Sequence, residues 1–95
     1  MRKYEAMFII KPDLSEEEKK NLFKQIQEIV TKNNGNVIEA NIWSEKRKLC
    51  FPIKKYTEGV YYLMNFRAPE EAIIRVSQNY KINENILRFL ITKII

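Results

Sequence analysis

Apolar and polar residues alternate with a period of two over residues 4–10. Tyr4, Ala6, Phe8 and Ile10 share one face, and Lys3, Glu5, Met7 and Ile9 share the other. That spacing predicts a strand whose continuous apolar set faces a core, ended by Lys11-Pro12-Asp13. The period then lengthens. Leu22, Phe23, Ile26, Ile29 and Val30 recur every three or four residues, which predicts a helix over about residues 15–33 with one apolar stripe. Ser15 and Glu18 stand at capping-box spacing, and Glu16, Glu17 and Glu18 suit the positive end of the helix dipole. Asn34-Gly35 is the expected left-handed stop.

Residues 37–51 read as extended but irregular, with a polar and basic interruption at Ser44-Glu45-Lys46-Arg47-Lys48. Leu49, Phe51 and Ile53 alternate with Lys48, Cys50 and Pro52, and proline favours an edge strand or a strand end. Residues 54–59 are expected to form a loop of about six residues, joining this segment to a strand over 60–67 as a hairpin. Pro69-Glu70-Glu71 opens a second helix with Ala72, Ile73, Val76 and Tyr80 on its buried stripe, and Asn83-Glu84-Asn85 breaks it. Residues 86–95 form a last strand, with Leu87, Phe89 and Ile91 opposite Arg88, Leu90 and Thr92. Strand, helix, strand, strand, helix, strand is the order of one α+β domain over residues 1–95. Right-handed crossovers put both helices on one face of a four-stranded antiparallel sheet, the ferredoxin-like split β-α-β sandwich, with the first and third strands central.

Such a sheet leaves one face uncovered. Its expected occupants are Lys3, Glu5, Met7 and Ile9, then Tyr61, Leu63, Asn65 and Arg67, then Arg88, Leu90 and Thr92. This is more apolar surface than scattered exposure supplies, and it points to contact with a partner. Charge adds to the picture: 17 basic against 12 acidic residues give +5, which favours an anionic partner, nucleic acid before an acidic membrane.

Composition removes most catalytic chemistry. With no histidine, one cysteine and two glycines, the chain lacks serine–histidine and cysteine–histidine catalysis, histidine–metal sites, an internal disulfide and a glycine-rich phosphate loop. No cofactor and no enzyme activity are expected. Arg2, Lys3 and Glu5 interrupt the start of the chain and no stretch approaches a membrane span, so a soluble, intracellular protein is expected. Cys50 is expected to pack as a small side chain.

Two basic groups stand out. Lys46, Arg47, Lys48, Lys54 and Lys55 fall within ten residues on the edge strand and its loop, where they can neutralise phosphates or keep other strands off the edge. Arg2, Lys3, Arg88 and Lys93 form a second group if the first and last strands are neighbours. Tyr61 and Tyr62 invite comparison with the stacking platform of the RNA recognition motif. The glycine–aromatic run of that motif is absent, and alternation turns Tyr62 inward, so base stacking on the sheet is not expected. Trp43 is either core filler or an edge-strand contact.

Met1-Arg2-Lys3-Tyr4-Glu5, Lys11-Pro12-Asp13-Leu14, Leu49-Cys50-Phe51-Pro52-Ile53-Lys54, Ala68-Pro69-Glu70 and Asn85-Ile86-Leu87-Arg88 occur in that order. Together they resemble the bacterial family of small-subunit ribosomal protein six along nearly the whole chain. The resemblance implies a ferredoxin-like, structural protein of the cytoplasmic ribosome. It would bind small-subunit ribosomal RNA in the central domain together with ribosomal protein eighteen, with no membrane or small-molecule partner. On the residues and the resemblance together, RNA contact is expected at Arg2, Lys3, Tyr4, Lys54, Lys55, Arg88 and Lys93. Contact with the protein partner is expected at Trp43, Lys46, Arg47, Lys48 and Leu49. This chain has Ser44 and Glu45 where the family often has glycine, Phe51 where many members have tyrosine, and Ile95 as its last residue where most continue into a polar tail. The alternatives are a ferredoxin-like small-molecule regulatory domain, which would want a glycine-rich turn after the first strand, and an acylphosphatase-like enzyme, which would want an arginine-bearing anion loop there. Lys11-Pro12-Asp13-Leu14 supplies neither.

Overall fold

The computed structural model describes residues 1–94; the side chains of Lys46 and Cys50 lie outside the described residues, and so do the expectations that rest on them. The elements run β1 (Arg2–Ile10), α1 (Glu16–Lys32), β2 (Asn36–Ile53), β3 (Tyr56–Ala68), a 3-10 turn at Glu70–Ala72, α2 (Ile73–Lys81) and β4 (Ile86–Ile94). The strands form one antiparallel sheet in the order β2-β3-β1-β4, as the alternation and crossover rules predict.

Both helices press their apolar stripes on the same sheet face. Tyr4, Ala6, Phe8 and Ile10 of β1 and Val60, Tyr62, Met64 and Phe66 of β3 meet Leu22, Ile26, Val30, Val76 and Tyr80 in one core. Each large side chain buried there stabilises the fold by roughly 1.5–3 kcal/mol. Aromatic geometry organises the centre: the Phe8 ring meets Tyr80 edge-on at 4.9 Å, and Phe23 stacks on Tyr62 at 4.2 Å. The buried Tyr80 hydroxyl donates to the Ile26 carbonyl at 2.7 Å, which ties α2 to α1. Burial holds the Tyr80 phenol well above its ordinary pKa.

The α1 capping box forms as read. The Glu18 amide donates to Ser15 Oγ at 3.1 Å, and the Ser15 amide donates to Glu18 Oε1 at 3.0 Å. The stop after α1 divides its work differently from expectation. Asn34 takes the left-handed conformation, at φ 67°, while Gly35 does not. Gly35 is needed for proximity, because a Cβ there would lie 2.6 Å from Val30 Cγ1 and 2.7 Å from the Arg67 carbonyl oxygen.

The second strand differs most from the sequence reading. The expected interruption at 44–48 is strand, within a β2 of 18 residues, and the irregularity is spent in register shifts against β3 between Val37 and Glu39, Ile42 and Ser44, Ser44 and Arg47, and Lys48 and Ile53. Bulges suit an edge strand because they twist its free side away from pairing. The expected six-residue loop is a two-residue turn. Ile53 pairs with Tyr56, and Lys54 and Lys55 between them both take positive φ, 48° and 73°. Turns of this kind match strand twist but favour Asn-Gly.

Two stability predictions follow from these local geometries. Replacing Lys54-Lys55 by Asn-Gly should raise unfolding stability by about 1–2 kcal/mol, since side chains in that region cost about that much per residue; urea denaturation checks it. Ser15→Ala should lower stability by about 1 kcal/mol. Hydrogen bonds from Ser15 hold the Glu18 carboxyl below its usual pKa. The capping contribution is thus fully present above the ordinary glutamate pKa and is lost as pH falls through the lowered one. The gap between wild type and Ser15→Ala should therefore narrow in acid.

Candidate nucleic-acid and partner interface

The register crosses the uncovered sheet face with successive rows. Lys3 lies opposite Arg67, which in turn lies opposite Asn36. Next come Glu39, Asn65, Glu5 and Thr92, then Asn41, Leu63, Met7 and Leu90, and then Ser44, Tyr61, Ile9 and Arg88. Two residues along an antiparallel strand advance about 6.8 Å, which sets the row spacing. The face is therefore banded along the strands: a cationic pair, a carboxylate row, an apolar row, and an aromatic and cationic row. Leu90 in the apolar row is 61% exposed. The expected open-face residues are on this face, but Glu5 and Glu39 make its middle unattractive to phosphate.

At the aromatic row the β2 bulges carry Trp43 beside Tyr61, with ring centroids 5.7 Å apart. The Arg47 guanidinium lies 4.4 Å from the Trp43 ring centre and 5.5 Å from that of Tyr61. Cation–π contact holds one face of the indole and leaves Trp43 53% exposed. Trp43 is an edge-strand surface residue and not core filler. Ile9, Leu49, Phe51, Ile53, Tyr61 and Arg88 line a shallow groove beside it.

Within that groove Leu49 and Phe51 differ in exposure, and Leu49 is not the exposed contact expected of it. Leu49, expected as a partner contact, is 9% exposed, whereas Phe51 is 78% exposed. The cause is the last register shift: β2 spends four residues between its pairs at Lys48 and Ile53 while β3 spends one between Glu58 and Tyr56. Leu49 stays against the sheet near Gly59, and Phe51 is carried outward. Alternation placed both residues on one face but could not show which of them the bulge lifts.

The expected grouping of Arg2, Lys3, Arg88 and Lys93 does not form. Arg88 pairs with Ile9 and Lys93 with Tyr4, a separation of five strand residues, about 17 Å. The odd number also turns the two side chains to opposite faces. Lys3 faces the open side beside Arg67. Arg2 and Lys93 meet on the helix side, where Glu70 reaches both: Arg2 Nε lies 3.7 Å from Oε2 and Lys93 Nζ 3.9 Å from Oε1. Tyr4, expected to touch RNA, is a core residue, 4% exposed and stacked on Phe66 at 5.6 Å. Burial, reinforced by the negative charge of Glu70, raises its phenol pKa.

Arg88 instead joins the hairpin end. Lys54, Lys81 and Arg88 line one cleft of about 200 Å³ together with Tyr80, Ile86, Leu87 and Phe89, and no acidic side chain lines it. Lys81, in the last turn of α2, was not among the expected contacts. A basic residue at a helix C-terminus reads from sequence as a partner of the helix dipole, and only the fold brings it to the lining of the same cleft as Arg88. Among the described residues, Arg47, Lys54, Lys81 and Arg88 are in none of the ion pairs, which are Arg2–Glu70, Lys19–Glu16 and Lys93–Glu70. No cluster of metal-ligating side chains occurs among the described residues, and no helix is long and apolar enough to cross a membrane.

Comparison with known proteins matches residues 3–93 to the family described as ribosomal protein S6. The small ribosomal subunit protein bS6 of Helicobacter acinonychis is 45% identical over 93 residues, which cover 98% of this chain and 65% of that protein. The bS6 of Dictyoglomus turgidum is 42% identical, with 97% of this chain and 94% of that protein covered. The crystal structure of 30S ribosomal protein S6 from Thermotoga maritima superposes with a TM-score of 0.90 at 30% identity, covering 98% of this chain and 87% of that one. The shared sheet, the shared helix layer and a match over nearly every residue agree: the chain belongs to the ribosomal protein S6 family.

Proposed function

We propose that the chain binds small-subunit ribosomal RNA of the central domain through the hairpin end of its sheet, together with small-subunit ribosomal protein eighteen, and so helps order that region during assembly. Membership of the family makes it a structural, non-enzymatic protein of the small ribosomal subunit, located in the cytoplasmic ribosome. The RNA reading is carried by the convergence of Lys54, Lys81 and Arg88 on one cleft without an opposing acid. Lys55 in the same turn extends this cationic surface along the chain. Such side chains bind phosphate and release counterions, while the shape of the RNA sets where they fit.

The protein-partner reading is supported by the banded open face and the β2 edge. Trp43, Phe51 and Leu90 are exposed apolar groups on or beside that face, and Arg47 pins the indole. Arg47 and Lys48 supply charge at the rim, as interfaces with an aromatic centre and a polar edge commonly do. Leu49 supports this surface from beneath. At the far end of the sheet, Arg2 and Lys93 on the helix side and Lys3 on the open side are secondary cations on opposite faces.

With about six phosphates neutralised, affinity for a central-domain RNA fragment should fall roughly a thousandfold between 50 and 200 mM salt. Combining Lys54→Gln, Lys81→Gln and Arg88→Gln should weaken binding at least tenfold and flatten the salt slope by about three. The same three charges removed at Lys20, Lys24 and Lys32 on α1 should do far less. Gel shift with and without ribosomal protein eighteen checks this. Equal losses from the two triple variants would sink the site, and salt-independent affinity would sink the RNA reading.

A further inference from the structure

Among the described residues, Glu70 is the one acid that forms ion pairs with two cations expected to meet RNA. Its two carboxylate oxygens are divided between Arg2 Nε and Lys93 Nζ, at 3.7 and 3.9 Å. Three separated parts of the chain bring them together: the first residue of β1, the penultimate residue of β4 and the start of the 3-10 turn. Pro69, with φ −61°, fixes the approach of that turn. All three side chains remain well exposed, at 59%, 64% and 42% for Arg2, Glu70 and Lys93. Ion pairs this exposed add little to folding stability, so stability does not account for the arrangement. Its larger effect is on the local field, because one carboxylate offsets part of the charge of two cations within salt-bridge reach.

We propose that Glu70 occupies Arg2 and Lys93 in place of a phosphate and so restrains their binding to arbitrary RNA. A phosphate can claim these side chains only by displacing the carboxylate. An RNA whose shape also seats phosphates at Lys54, Lys81 and Arg88 holds the chain in place while that exchange occurs. A polyanion that reaches only the Glu70 end must meet the competing carboxylate unaided. The cationic cleft at the hairpin end has no acidic side chain in its lining, so the two ends differ in selectivity as well as position. This inference rests on the RNA reading and assigns Glu70 a specificity role within it.

Glu71 provides the control, since it is also exposed, follows Glu70 directly and makes no ion pair among the described residues. Poly(U) serves as the arbitrary RNA and the central-domain fragment as the shaped one, with binding measured by fluorescence anisotropy across a salt series. Glu70→Gln should tighten poly(U) binding by roughly 2- to 10-fold and steepen its salt slope by about one. Binding of the central-domain fragment should tighten less, so the ratio of the two affinities falls. Glu71→Gln should give less than half the poly(U) effect, and both variants should melt close to wild type. Equal effects of the two variants would reduce Glu70 to a share of net charge and overturn the inference. Unchanged or weaker poly(U) binding by Glu70→Gln would overturn it too, leaving the RNA reading intact. If wild type binds neither RNA, both fall.

Discussion

The structure depends on a sheet whose two helices can cover only one face. The even-numbered residues of β1 and β3 meet α1 and α2, and burying Phe8, Phe66, Met64 and Tyr80 between the layers fixes the position of the two central strands. A slip of one residue would exchange core and surface along a whole strand. The same pairing that protects the core therefore also determines the order of side chains on the bare side. The outer bands follow from that inner packing.

Charge is distributed on this frame at two ends with opposite settings. At the hairpin end Lys54, Lys81 and Arg88 share a cleft without a carboxylate in its lining. At the other end Arg2 and Lys93 are drawn to Glu70, and Lys3 faces away beside Arg67. Glu5 and Glu39 cross the sheet between them, with an apolar row on the hairpin side. A net charge of +5 does not describe such a surface. The proposed occupants, RNA at the cationic end and a protein on the aromatic and apolar bands, are compatible on one small domain.

Features carried by neighbours in sequence were legible. The alternation of β1, the stripe of α1 and the Ser15–Glu18 box depend on residues at most a few turns or pleats apart, and each gave the observed element. The fold followed because connection handedness leaves few arrangements for this element order. What stayed hidden depended on partners far along the chain. Lys54-Lys55 lacks the residues that announce a two-residue turn, so in sequence its strand ends resemble loop. The bulges of β2 decide that Phe51 is exposed and Leu49 covered, and no local pattern encodes them. Arg88 resembled a neighbour of Lys93 in sequence, yet pleat and distance put them apart; Lys81 showed its place beside Arg88 only once α2 was packed.

The central claim is that the packed fold, rather than proximity in sequence, gathers the cations proposed to meet RNA. Nuclear magnetic resonance titration of the isotope-labelled protein with a central-domain RNA fragment tests it most directly. The account predicts that signals from the Lys54-Lys55 turn, Lys81 and Arg88 shift together at the lowest RNA concentrations, with Arg2 and Lys93 following at higher ones. Shifts centred first on the exposed face of α1, or an Arg88 signal that moves only with Lys93, would contradict it.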